Sequence, residues 1–193
     1  MDLMTGIGLG ILAFLLLSVF DFNKLKPIHP IFNISFAVGC LLLAYATISI
    51  LFQTPRWFSK PPLPIFWIPA LLGLVEMFYA LFFALPFNTT YVEGTPPVKV
   101  VDTGLYALCR HPGVWGFFAF YLFAYLASGN GDLLIAGMIW SLFDVLHVTM
   151  QDIWFFPQTL PGYAAYRQTT PFLFFGIRQI RKCIVSFEQR KTK

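Results

Sequence analysis

The chain has 193 residues, of which 58% are hydrophobic and only 11% charged, with a formal net charge of +4 and a mean hydropathy of +0.70. Ordinary globular chains carry roughly a quarter charged residues, and a soluble core cannot hide this much apolar surface. The composition therefore excludes a soluble protein and predicts an all-α polytopic membrane protein, with aromatics at 19% of residues suited to lipid-facing helices with aromatic ends.

In chain order, the first apolar run covers about Met4 to Phe22. No small-residue cleavage site follows it, so it reads as a retained span and not a signal peptide. A second run covers Ile31 to Phe52 and is closed by the proline-rich loop Q-T-P-R-W-F-S-K-P-P-L-P. A third covers Ile65 to Leu85, and a long loop from Pro86 leads to a fourth, shorter run from Gly113 to about Leu126. S-G-N-G-D is a tight turn, and the fifth run starts at Leu133 and continues toward Phe156.

About five transmembrane helices put the termini on opposite sides. Lys24, Lys26, Lys99, Arg110, Arg167 and the basic residues from Arg178 onward share one side, against Arg56 and Lys60 on the other. The positive-inside rule then predicts an outside N-terminus and a cytoplasmic C-terminus. In that orientation the sequon Asn88-Thr89-Thr90 faces the cytoplasm and is discounted. Residues 177–193 alternate Ile177, Ile180, Ile184 and Phe187 with Arg178, Arg181 and Lys182, which reads as an interfacial helix on anionic lipid and not a nucleic-acid site. Cys40, Cys109 and Cys183 are odd in number, lack metal-ligand spacing and lie apart from His29, His111 and His147, so neither a disulfide framework nor a metal site is expected.

Ionisable residues inside apolar runs are costly and usually have a job. Glu76 sits in the third run, where a packing role is the stronger reading. In the fifth, Asp144, His147 and Gln151 fall on one helical face, with Asp152 adjacent, and this stripe reads as lining a pocket. The remaining signal is D-T-G-L-Y-A-L-C-R-H-P-G-V-W-G, from Asp102 to Gly116. Asp102 or Thr103 can cap a short helix, and Pro112 biases His111 out of the α region, so the chain should break near Arg110 and His111. Tyr106 lies four residues before Arg110, which would place a phenol beside the guanidinium as an anion clamp. Taken alone, Arg110 and His111 read equally well as interfacial charges.

The segment G-x-Y-x-x-x-R-H-P-x-x-x-G, a helical hairpin, an acidic position and Y-x-x-Y before a proline together resemble the isoprenylcysteine carboxyl methyltransferase-like family of integral membrane methyltransferases. The matching positions are Gly104, Tyr106, Arg110, His111, Pro112 and Gly116, then Asp152, Tyr163, Tyr166 and Pro171. The likeness covers the C-terminal half. It divides a single membrane domain into three spans over 1–100, a catalytic region over 101–176 and the basic tail over 177–193. Departures fall at Gln151, which stands in an acidic pair, at Val114, at Thr159-Leu160 and at Phe172, where a basic residue is common.

The resemblance implies S-adenosyl-L-methionine bound from the cytoplasmic side in a C-terminal cofactor-binding region, with the acceptor arriving through the membrane. Arg110 and His111, ahead of Pro112, suit the cofactor carboxylate. Tyr106, Tyr163 and Tyr166 suit its adenine, and aromatic faces or Asp152 suit its sulfonium. A neutral thiol or amine acceptor needs a base, for which His147 ranks ahead of Asp144 and Glu76. An anionic acceptor needs a cation, and Arg167 is the nearest. Phe155, Phe156, Phe172, Phe174 and Phe175 favour a hydrophobic acceptor, whether lipid, isoprenoid, small thiol or amine, ahead of a prenylcysteine carboxylate. Two other classes remain: a non-catalytic transporter or assembly protein, and a sterol-reductase-like nicotinamide enzyme.

Overall fold

The computed structural model describes residues 1–84 and 100–191, with side chains to residue 187. The first helix, α1, spans Leu3–Leu25. Asp2 caps it by accepting from the Thr5 amide at 2.8 Å, and its apolar run is long enough to cross a bilayer. Asn23 closes the turn that follows, its Oδ1 accepting from the amides of Ile28 and His29 at 2.9 and 3.2 Å. A 3₁₀ turn at Pro30–Asn33 opens α2, Ile34–Leu51. The third span opens at Pro64–Phe66, runs through α3, Trp67–Phe78, and widens into a π turn at Tyr79–Phe83. Leu85, Lys99 and the sequon at Asn88 lie outside the described residues.

Helix α4 spans Gly113–Ser128 and α5 spans Gly131–Met150. At 16 residues, α4 is about 24 Å long, short of the roughly 30 Å hydrocarbon thickness. The other four apolar segments are long enough to cross a membrane by length and composition, which makes this an all-α multi-pass architecture. Past Met150 the helix widens into a π turn, Gln151–Phe155, and ends in α6, Phe156–Thr159. Pro157 has no amide to return to residue 153, so a local widening just before it relieves the ladder. Two short pieces follow: α7, Tyr163–Thr169, behind Gly162 at φ +85°, and α8, Ile177–Lys191. Among the described residues an isolated bridge between Ser59 and Asn130 is the extended pairing present.

The helices pack in the order α2, α1, α5, α4, α3. Between lipid-facing helices the hydrophobic effect gives little drive to associate, so close approach and packing must hold them together. The α3/α4 crossing shows this: a Cβ on Gly73 would lie 2.9 Å from the Gly116 carbonyl oxygen, so the backbones touch only because both residues are glycine. Trp140 of α5 is fully buried and donates its indole N–H to the Ile7 carbonyl at 3.2 Å, locking α1 to α5 through the core of Phe14, Ile50, Phe117 and Leu133. Apolar side chains such as Leu41, Phe52, Leu72 and Leu142 point outward, as a lipid-solvated bundle requires.

At the end of the bundle near the α4–α5 turn, Asp132 is fully buried and accepts from the amides of Arg56 and Trp57 at 3.0 and 3.1 Å. Asn130 caps α5 through Oδ1 while its amide donates to the Ile50 carbonyl at 2.8 Å. The proline-rich loop is thus clamped onto the tight turn expected at S-G-N-G-D. At the opposite end, α8 lies on the segment before α4: the Gly104 amide donates to Ser186 Oγ at 2.8 Å, and Lys182 Nζ is 3.7 Å from Asp102 Oδ2. The R-H-P segment and the tail do share one face.

Candidate functional site

The break expected at the R-H-P stretch is present. A single 3₁₀ turn covers Gly104–Ala107, residues 108–112 are irregular, and α4 begins directly after Pro112. Gly104 takes φ +63°, a conformation that disfavours a side chain. Because that turn ends before Leu108, Tyr106 and Arg110 do not share a helical face. The Tyr106 hydroxyl donates instead to the Ala80 carbonyl at 3.1 Å, toward the third span. The anion clamp expected from those two residues is therefore not formed.

Arg110 turns to Asp152. Its Nε donates to Oδ1 at 2.6 Å and its Nη2 to Oδ2 at 3.0 Å, and Nη1 donates to the carbonyls of Thr170 and Arg167 at 2.7 and 3.2 Å. Four of the five guanidinium N–H groups are thereby engaged within the protein. The Arg110 amide also donates to the Pro171 carbonyl at 2.9 Å, so the arginine joins α4, α5 and the chain after α7.

The same carboxylate gathers the other expected residues. Tyr163 donates its hydroxyl to Asp152 Oδ1 at 2.6 Å, His111 Nε2 lies 3.5 Å from that oxygen, and Arg167 Nε lies 3.6 Å from Oδ2. Tyr166 donates to the Tyr106 carbonyl at 2.6 Å. His111 stacks on Phe156, with ring centroids 5.9 Å apart, and meets Phe172 edge-on at 5.1 Å. Burial holds the His111 imidazole below its ordinary value, and Asp152 opposes that shift. Burial likewise raises the Tyr163 and Tyr166 phenols, with the Asp152 carboxylate adding to the rise at Tyr163, so both remain hydrogen-bond donors.

Six of the predicted residues, Arg110, His111, Asp152, Tyr163, Tyr166 and Arg167, meet here, and Pro112 follows them at the start of α4. Tyr106 joins through its backbone. The polar stripe divides: adjacent residues of the π turn project in different directions, so Asp152 faces this cluster while Gln151 turns toward α1. Gln151 Nε2 donates to Asp21 Oδ2 at 2.8 Å, and His147 Nε2 lies 3.4 Å from the same oxygen. Asp144 sits one turn further along α5, near Tyr121 of α4. Glu76 packs at the glycine crossing of α3 with α4.

Sequence reasoning passed over Asp21, Ser18 and Thr170. For Asp21 the signal was an acid still inside the helical run of α1, one turn before Leu25. Thr170 had no local signal, because its role depends on chain folding back over the R-H-P break. Two buried polar atoms of the cluster, His111 Nε2 and Thr170 Oγ1, have no hydrogen-bond partner among the described residues. No group of three or more His, Cys, Asp or Glu residues that could hold a metal ion occurs among the described residues.

No family model, characterised protein or solved structure matches the chain. What fold and site define is a class: an all-α polytopic membrane protein with several long apolar helices, able to contact a lipid-partitioned molecule.

Proposed function

We propose that this chain is an S-adenosylmethionine-dependent methyltransferase of the isoprenylcysteine carboxyl methyltransferase-like kind, acting at the cytoplasmic membrane face on a membrane-partitioned acceptor, with its N-terminus outside. The observation that carries the reading is convergence on Asp152: residues as far as 42 positions before it and 15 after it meet around one buried carboxylate.

The donor set fits the cofactor with one reassignment. Arg110 is committed to Asp152 and to carbonyls, so it positions the cluster and does not hold the cofactor carboxylate. Arg167, with its side chain 41% exposed and only a long contact to Asp152, is the cation with donors to offer. His111 Nε2 and Thr170 Oγ1 are the buried polar atoms that a polar ligand would satisfy. Phe156 and Phe172 pack around His111, and Arg110 lies over the Phe172 ring, which makes the wall of the site aromatic and suited to a cation or an adenine beside it. Once bound, the cofactor supplies an electrophilic methyl group. The residues around it supply position, an apolar wall against water and fixed dipoles, effects worth on the order of 7–11 kcal/mol for positioning alone.

One observation favours a second reading. An Arg110–Asp152 pair this fully engaged also suits a staple in a non-catalytic membrane protein. Calorimetry of the purified protein with S-adenosylmethionine and with S-adenosylhomocysteine separates the two. Saturable binding is expected, and no binding by folded protein returns the cluster to a structural role.

A further inference from the structure

A second polar group lies where α1 packs on α5. Ser18 Oγ is 3.1 Å from His147 Nδ1, His147 Nε2 is 3.4 Å from Asp21 Oδ2, and Gln151 Nε2 donates to that oxygen at 2.8 Å. The side chains of His147 and Asp21 are 9% and 6% exposed. Ser18 and Asp21 are three apart on α1, and His147 and Gln151 four apart on α5, so each pair shares one helical face and the two faces meet. Titratable groups inside a bilayer bundle cost free energy and mark functional sites by default.

The geometry favours one tautomer, with the Asp21 carboxylate 3.4 Å from Nε2 and the Ser18 hydroxyl 3.1 Å from Nδ1. A carboxylate near Nε2 biases the imidazole toward the tautomer protonated there, which leaves the Nδ1 lone pair to accept. Ser18 has one hydroxyl proton and two acceptors, the Phe14 carbonyl at 2.9 Å and His147 Nδ1 at 3.1 Å. Whenever that proton serves Phe14, the Nδ1 lone pair is left without a donor. The His147–Asp21 pair lies on the α1 side of the same helix that carries the cluster: Gln151 directly precedes Asp152, and His147 lies within electrostatic reach of His111. The other titratable groups around it are Asp21 on α1 and Asp144 on α5.

We propose that His147, held by the positioning residue Asp21, accepts the proton of the methyl acceptor, and that the acceptor class is therefore a neutral, bilayer-partitioned thiol or amine and not a carboxylate. The inference rests on the methyltransferase reading. In the step assigned to these residues, the acceptor's S–H or N–H bond breaks and its electron pair stays on the heteroatom. The proton bonds to Nδ1, and the resulting imidazolium is balanced by Asp21. An acceptor that is already anionic has no proton to give, so this pair would serve no purpose for it.

The test combines ¹⁵N-histidine spectra in micelles with turnover of labelled S-adenosylmethionine, using a long-chain alkyl thiol, a long-chain alkylamine and a farnesylated cysteine acid. Wild-type His147 should carry its proton on Nε2, and the thiol or amine should be methylated. Asp21→Asn should lose the tautomer preference and slow that methylation by about 10²- to 10⁴-fold, with cofactor affinity unchanged. Ser18→Ala should keep the tautomer, which separates positioning from general damage to the α1–α5 packing. If Asp21→Asn retains both tautomer and turnover, or if the farnesylated acid is the preferred wild-type substrate, the inference is overturned while the methyltransferase reading stands. If wild type binds no cofactor, that reading fails first and this one with it.

Discussion

Arg110 and Asp152 face each other in a two-pronged ion pair, 2.6 and 3.0 Å long, with side chains only 9% and 5% exposed. The pair joins the segment before α4 to the end of α5, and the carbonyls of Arg167 and Thr170 complete the shell of Arg110. Removing one partner leaves the other charge buried and alone, which costs about 3–5 kcal/mol, whereas replacing both with apolar residues of similar volume is often neutral. Asp152→Ala should therefore lower the thermal unfolding midpoint in detergent strongly, and Asp152→Leu combined with Arg110→Met should recover much of it. Equal losses in the single and double variants would show that the pair does not act as a unit.

Arg167 sits at the rim of the same cluster, where an exposed ion pair adds at most about 1 kcal/mol to stability. Arg167→Ala should leave the unfolding midpoint nearly unchanged. It should weaken S-adenosylmethionine binding by about 1.5–3 kcal/mol, the worth of a charge-assisted contact. Calorimetry on the folded variant checks this, and unaltered affinity removes Arg167 from the cofactor site.

His111 gives a pH dependence with a defined sign. Burial depresses its folded value below the ordinary 6.5, so as pH falls through 6.5 the unfolded chain binds the proton first and stability declines until the folded value is passed. Unfolding midpoints measured from about pH 7.5 down to about pH 5 should fall more steeply for wild type than for His111→Gln, which has no group to titrate in this window. Parallel curves would place the acid sensitivity elsewhere.

Native cysteines are poor reporters of orientation. Cys109 is fully buried with its thiol pushed by burial up to about 12, and Cys183 is 7% exposed and also raised by burial. A maleimide should leave Cys109 unmodified until the protein unfolds. Arg56→Cys and Arg178→Cys occupy exposed positions at opposite ends of the bundle. In intact cells an impermeant reagent should label the first and spare the second, and the opposite pattern would invert the proposed topology.

The sequence by itself determined what short-range chemistry controls. Hydropathy over a bilayer's length marked the apolar helices, Pro112 marked the break after His111, and Asn130 with its glycines marked the turn before α5. The alternation of Ile and basic residues marked α8 as amphipathic. Each of these depends on neighbours within a few turns of the same chain. Which polar group meets which was decided only by the tertiary structure. Gln151 and Asp152 are adjacent in sequence, yet one bonds to Asp21 on α1 and the other to Arg110 before α4, because successive residues of the turn project toward different neighbours. Tyr106 left Arg110 for Ala80 because a four-residue 3₁₀ turn replaced the α-helical turn that would have aligned them. Asp21 found its place against His147 for the same reason: its partner lies 126 positions away, and only the packing of α1 on α5 brings the two within 3.4 Å.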